Sequence, residues 1–375
     1  MNTGFSGRIG LMQRVLPTYR VPFFEALGQA CPDGLSLFAG QPRPSENIPQ
    51  AHGLSGVHFV PAYNLHFLNG PLYFCWQRGL LAWLNTWQPA LLITEANPRY
   101  LSTPKAIRWM HTRGRPVIGW GLGAPTHQGA FAWLSNFSRQ SFVQQFDAVI
   151  TYSQKGAEQY QALGFDPQSI FVAVNAVTSR PNHPLPQRSA QFSGKARVLF
   201  VGRLQARKRL DNLLRACATL PPNLQPELWI VGDGPARAEL ECLADHVFPA
   251  AQFLGAKYNQ ELTGYFTKAD LFVLPGTGGL AVQQAMSFGL PVIVAEADGT
   301  QDDLVQPDNG WQIPADDLPA LTKAMRRALA DSRQLRRMGA ASFRIVSEEV
   351  NLETMVNVFL QAIQHASISV KRASA

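Results

Sequence analysis

Short apolar runs ending in glycine, proline or a polar turn recur along this chain, and segments of helical spacing separate them. Residues 8–12, 35–39, 90–94, 116–120, 148–152 and 170–174 read as strands of a first half. Residues 197–201, 227–231, 252–255, 271–274 and 291–294 repeat the pattern in a second half. Such short, continuous apolar runs suit strands buried on both faces. Helical spacing marks 21–27, 72–84, 105–113, 131–146 and 155–163. It returns at 210–217, around Glu239 and Glu241, and at 262–269, 280–288, 318–329, 332–343 and 351–365. The βαβα alternation predicts an α/β protein of two doubly wound parallel-sheet domains, with a cleft between their strand ends. Residues 1–178 are the first domain and 197–350 the second. Residues 179–196, rich in Pro, Ser and Gln, are the expected linker. Residues 351–375 form a last helix, expected to pack back on the first domain, and a polar tail.

The aromatic stretch 58–87 holds Phe59, Tyr63, Phe67, Tyr73, Phe74, Trp76, Trp83 and Trp87. It reads as an aromatic core helix, or as a surface for a lipid-linked or aromatic acceptor, since Trp beside Arg78 suits a membrane interface.

Composition narrows the classes. The chain has 375 residues, 46% of them hydrophobic, enough for real cores. Its four cysteines, Cys31, Cys75, Cys217 and Cys242, are scattered without a CxxC pair, which argues against a zinc site and a disulfide framework and fits a reducing cytosol. No metal site is expected, since adjacent acidic pairs such as Asp302-Asp303 and Asp316-Asp317 fall in expected loops or helix starts. The net charge of +7 favours anionic partners. Nucleic acid is not among them, because the basic residues do not alternate with aromatics on one face. No apolar run reaches the ~18–20 residues that span a bilayer, and residues 1–7 are too short and polar for a signal peptide. The expected location is cytoplasmic, with possible peripheral contact at the inner, anionic face of the cytoplasmic membrane through Arg108, Arg113, Arg115 and Arg139.

Chemistry concentrates at the strand ends. Residues 271–294 read as strand, glycine-rich turn, helix, turn and strand. Gly278 and Gly279 let a ligand approach the backbone, and a helix opening behind them offers unpaired N–H groups to an anion. Gly202-Arg203 with Lys208, and Gly232-Asp-Gly234, end two other strands. Arg203 and Lys208 could hold a diphosphate between a guanidinium and a point charge; the alternative is solvated charge on a basic helix. A GxGxxG dinucleotide fingerprint and a GxxxxGK[ST] loop are missing, so no bound cofactor is expected. In the first half, Glu95, Asn97 and Arg99 follow a strand end and are candidate ligand contacts or loop stabilisers. His127, in 121–127, is a candidate substrate contact or an exposed loop histidine.

The segments VGRLQARKRLDNLL, LWIVGDGP, FLGAKYNQEL and LPGTGGLAVQQAMSFGLPVIV, in that order and spacing, resemble the C-terminal half of GT-B fold glycosyltransferases of the retaining family 4 type (glycosyl transferases group 1). The resemblance covers roughly 148–315 well; the first half agrees only in layout. It implies two Rossmann-like domains, a nucleotide-diphosphate sugar donor on the second and a glycan or lipid-linked acceptor on the first. It implies retention at the anomeric carbon without a metal. Arg203 and Lys208 stand where the family binds the diphosphate, with Gly202 at the strand end. The backbone of Gly278, Gly279 and Leu280 stands at the sugar and phosphates, and Lys257 and Tyr258 near the base. His127 stands near the family's N-terminal histidine, whose own position falls near Leu122.

One departure changes the reading. The family's two glutamates that bracket the glycine turn are Gly276 and Gln284 here. Gln284 keeps an acceptor oxygen; Gly276 has nothing to touch a donor sugar with. Three functions follow: transfer of the sugar, for cell-surface polysaccharide or glycolipid assembly; a binding subunit without turnover; or another GT-B chemistry such as nucleotide-sugar epimerisation.

Overall fold

The computed structural model describes residues 5–46, 48–125, 132–297 and 299–373. The chain divides into two compact units, residues 1–177 with 352–375, and residues 178–351.

The first unit opens with β1 (Ile9–Val15), α1 (Val21–Gln29), β2 (Leu35–Gly40) and β3 (His58–Pro61). A hairpin, β4 (Tyr63–Phe67) and β5 (Phe74–Arg78), precedes α2 (Leu80–Trp87). Then come β6 (Leu91–Glu95), α3 (Thr103–His111), β7 (Val117–Gly121), α4 (Ala132–Val143), β8 (Ala148–Thr151), α5 (Gln154–Ala162) and β9 (Ile170–Val172). Its sheet runs β3-β2-β1-β6-β7-β8-β9, and every pair in it is parallel.

The second unit has β10 (Arg197–Val201), α6 (Leu210–Thr219), β11 (Glu227–Val231), α7 (Arg237–Val247), β12 (Ala251–Phe253) and α8 (Asn259–Lys268). It continues with β13 (Leu271–Leu274), α9 (Leu280–Ser287), β14 (Val292–Ala295), β15 (Gly310–Ile313), α10 (Leu318–Ala330) and α11 (Ser332–Glu348). The sheet order is β12-β11-β10-β13-β14-β15, again all parallel. The chain then returns to the first unit as α12 (Leu352–Ala373).

Alternation along the strands explains both faces of the first sheet. Ile9, Leu11, Leu35, Leu37 and Ile93 point to one side, against Phe23, Phe24 and Leu27 of α1 and Phe359 and Ile363 of α12. Met12, Phe38, Leu92, Val117 and Val149 point to the other, against Trp83, Ile107, Met110 and Phe142. The Phe359 ring lies 4.9 Å from those of Phe23 and Trp120, so α12 supplies one face of this core.

Two local expectations are corrected. The helix expected at 72–84 is strand β5, then α2 from Leu80. Gly79, at φ +87°, breaks the segment, and burial alternates along β5 with period two. Strands β3 and β15 were not expected, because their half-exposed residues lack an apolar run. The 179–196 segment has no helix or strand, yet it is fastened to the second unit. Half-buried Arg188 donates to the carbonyls of Ala269 (2.8 Å), Phe266 (2.9 Å) and Gly289 (3.2 Å). Arg336 also holds it, donating to the Ser189 carbonyl at 2.9 Å and pairing with Asp270 at 2.7 Å.

Candidate functional site

In doubly wound sheets the chain reverses its winding between two neighbouring strands, and ligands bind outside the carboxyl ends there. In the second unit that point lies between β10 and β13. Gly202 ends β10, and residues 275–279 connect β13 to α9. Lys208 is brought to this point by a short 3-10 turn, Ala206–Lys208. Its Nζ donates to the Thr277 carbonyl at 2.6 Å. A Cβ on Gly278 would lie 2.3 Å from that Nζ, and Gly278 has φ +128°, so glycine is required twice over. Burial, then the Arg207 charge, pulls the Lys208 ammonium down to about 8.

The turn is packed rather than open. Thr277 N–H donates to the Arg207 carbonyl (3.1 Å), and Arg207 donates to Thr277 Oγ1 (3.2 Å). A Cβ on Gly276 would meet Arg207 O at 2.3 Å, and Lys208 C and Cα at 2.5 and 2.6 Å. The glutamate of the resembling family therefore has no room at 276. From the other side, Gln301 Nε2 donates to the Gly278 carbonyl at 2.9 Å. Sequence reasoning missed Gln301, which no motif marks. Beside Gly202 lies a cavity of about 540 Å³, lined by Arg203, Gly232, Asp233, Lys257 and Tyr258 among others. Gly232, at φ +146°, packs its Cα against the Gly202 carbonyl; a Cβ would come within 1.9 Å.

In the first unit the reversal lies between β1 and β6. Glu95 ends β6 and accepts the Arg14 N–H from the end of β1. Burial pushes its carboxyl up to about 7, against the pull of that hydrogen bond and of the Arg14 and Arg20 charges. The Arg14 side chain is turned away into a 2.8 Å ion pair with Glu46. The hairpin pins this strand end. Asn64 Nδ2 donates to the carbonyls of Arg14 (2.7 Å) and Gln41 (2.8 Å), and Gln77 Nε2 to that of Gln13 (3.0 Å). Glu95, Asn97, Arg99, Trp120, Arg139 and Tyr152 help line a cavity of about 380 Å³.

The family model for glycosyl transferases, group 1, matches residues 183–344, nearly all of the second unit. The second unit thus matches the group 1 glycosyl transferases over nearly its whole length. It is similar to the lipopolysaccharide core biosynthesis glycosyltransferase LpsE of Rhizobium meliloti, 22% identical over 75% of this chain and 87% of that one. It is also similar to a GDP-mannose-dependent alpha-mannosyltransferase of Mycobacterium tuberculosis, 37% identical over 53% of this chain and 51% of that one, so it spans about half of that relative. The structure of HepE from Anabaena in complex with UDP aligns at TM-score 0.71 and 16% identity, covering 96% of this chain and 99% of that one. The doubly wound parallel units expected from the sequence are thus those of the GT-B fold.

Within this second unit the expected donor residues fall in two neighbouring groups. Lys208, Gly276, Gly278, Gly279 and Leu280 meet at the β13 turn, Gly279 capping α9 and Leu280 opening it. Gly202, Arg203, Lys257 and Tyr258 line the adjoining cavity. Lys208 joins them, its Cε 3.9 Å from where a Cβ of Gly202 would be. Gln284 lies half-buried on α9. In the first unit Glu95, Asn97 and Arg99 share one cavity, with Asn97 Oδ1 accepting the Arg99 N–H at 3.1 Å. Arg139, one of the four arginines of the expected membrane contact, helps line that cavity. His127 lies outside the described residues. The buried Arg20 beneath the cavity was missed, since a lone arginine near a helix start carries no motif.

Proposed function

We propose that this chain transfers a sugar from a nucleotide-diphosphate sugar to a glycan or lipid-linked acceptor, with retention and without a bound metal or cofactor. The donor sits on the second unit and the acceptor on the first. The observation that carries this reading is Lys208, desolvated and aimed between the Gly202 and Gly278 turns at the strand-order reversal. A pyrophosphate there meets main-chain N–H groups, an ammonium and the neighbouring Arg203. Such groups stabilise the charge that develops as the diphosphate departs. The departing phosphate then takes the proton of the attacking hydroxyl on the same face. Assembly of lipopolysaccharide or another glycolipid is the setting that relatives such as LpsE support.

Calorimetry with UDP and GDP tests the clamp: Lys208→Met and Arg203→Ala should each weaken binding, and unchanged affinity in both rejects it. NMR of the product's anomeric proton tests retention, and activity in EDTA tests metal independence.

A second reading, a binding subunit without turnover, draws on Gly276, whose packing leaves no side chain to touch a donor sugar. It predicts nucleotide binding without transfer across a broad acceptor screen. Contact with an anionic membrane belongs to the same proposal. Phe67, Leu68 and Leu72 stand 46%, 63% and 64% exposed around the hairpin tip. Among the described residues no helix is long and apolar enough to cross a membrane. Flotation with liposomes tests the contact, and loss of salt dependence would remove its electrostatic part.

A further inference from the structure

Arg20 is 7% exposed, and its guanidinium lies 5.2 Å from the Trp120 ring and 5.1 Å from the Tyr152 ring. Both rings line the first unit's cavity. Among the described residues Arg20's hydrogen-bonding partner is the Met355 sulfur, at 3.9 Å, which is a weak acceptor. Stacking on aromatic faces offsets part of the desolvation of a guanidinium but uses none of its five donors.

Two other cations line the cavity itself, whereas Arg20 reaches it only through the Trp120 and Tyr152 rings. Arg99 is exposed at its rim, and Arg139 is held below the ordinary arginine range by burial and then by the Arg99 charge. Arg139 also donates to the Pro125 carbonyl, which fixes its position. Against these stands one carboxyl among the lining residues, Glu95, which already accepts the Arg14 N–H. The cavity is therefore rich in cationic donors and poor in anions.

We infer that this cavity binds an oxyanion, a carboxylate or phosphate ester, carried by the acceptor, with Arg99 and Arg139 as its counter-charges and Arg20 adding positive charge from behind the Trp120 and Tyr152 rings. The inference rests on the reading that the first unit holds the acceptor. Glu95, at the end of the same cavity-lining strand, is left to hydrogen-bond a hydroxyl of that molecule.

The test uses the full chain and three matched probes: glucose, glucuronate and glucose 6-phosphate, followed by ligand-observed NMR titration. At least one anionic probe should bind about tenfold tighter than glucose, as a charge-assisted hydrogen bond provides. Which of the two binds tighter names the source, carboxylate or phosphate, and either result upholds the site. Arg99→Ala, a surface change, and Arg139→Gln should each remove most of the advantage, with the thermal melting curve unchanged for Arg99→Ala. Equal binding of glucose and both anions, binding of neither anion, or an advantage that survives both substitutions overturns the inference. The failure of the transferase reading looks different: anion binding at this cavity with no affinity for UDP or GDP and no transfer. Transfer to neutral acceptors with kinetics indifferent to Arg99→Ala removes the anion site alone.

Discussion

Adding one methyl group at Gly276 tests how the donor turn is held. In Gly276→Ala the new Cβ would stand 2.3 Å from Arg207 O, 2.5 Å from Lys208 C and 2.6 Å from Lys208 Cα. All three are backbone atoms, so no side chain can rotate away. Opening the shortest contact to an ordinary 3.4 Å requires the two segments to part by about 1 Å. The Arg207–Thr277 and Lys208–Thr277 hydrogen bonds, at 3.1, 3.2 and 2.6 Å, lie across that seam. Overpacking costs typically ~1–3 kcal/mol and each weakened hydrogen bond up to ~1 kcal/mol. Partial relaxation leaves an expected loss of about 2–4 kcal/mol. Urea unfolding should show a lower midpoint at an unchanged slope, and affinity for UDP or GDP should fall because Lys208 moves with its loop. A variant as stable as the parent, with the same nucleotide affinity, would falsify the claim that position 276 excludes a side chain. Restoring glutamate there should be more damaging still.

Three further outcomes follow from the same structure. Lys208 loses its proton near pH 8 in the empty site, while a bound diphosphate favours the charged form; nucleotide affinity should therefore fall about tenfold between pH 7 and pH 9, and a flat calorimetric profile would count against the clamp. Glu95 titrates near 7 when folded and near 4.5 when unfolded, so the native state holds the extra proton between them and stability falls as pH rises through that window. Glu95→Gln should flatten that slope in pH-dependent melts, by at most about 3 kcal/mol over the whole window; an unaltered slope contradicts it. Gly232→Ala places a Cβ 1.9 Å from the Gly202 carbonyl at φ +146° and should cost about 2–4 kcal/mol by denaturant unfolding, whereas a neutral result would mean that β10 and β11 do not close on each other there.

Much of the architecture was readable from residue order alone. Continuous apolar runs such as residues 271–274 are possible only for strands covered on both sides, and their alternation with helical spacing leaves little besides a doubly wound parallel sheet. Glycines at 202, 232 and 278 marked the strand ends, and at 232 and 278 the packed turn leaves no room for a Cβ. The hairpin at 63–78 was not readable, since aromatic weight hid a period of two and Gly79 alone signalled the break. Which cations converge also lay beyond the linear chain. Arg20 meets Trp120, Tyr152 and Met355 only because α1, β7, β8 and α12 pack around one sheet. Local spacing fixes the elements through backbone geometry; charges far apart in sequence come together only when burial of the apolar faces leaves them no other place.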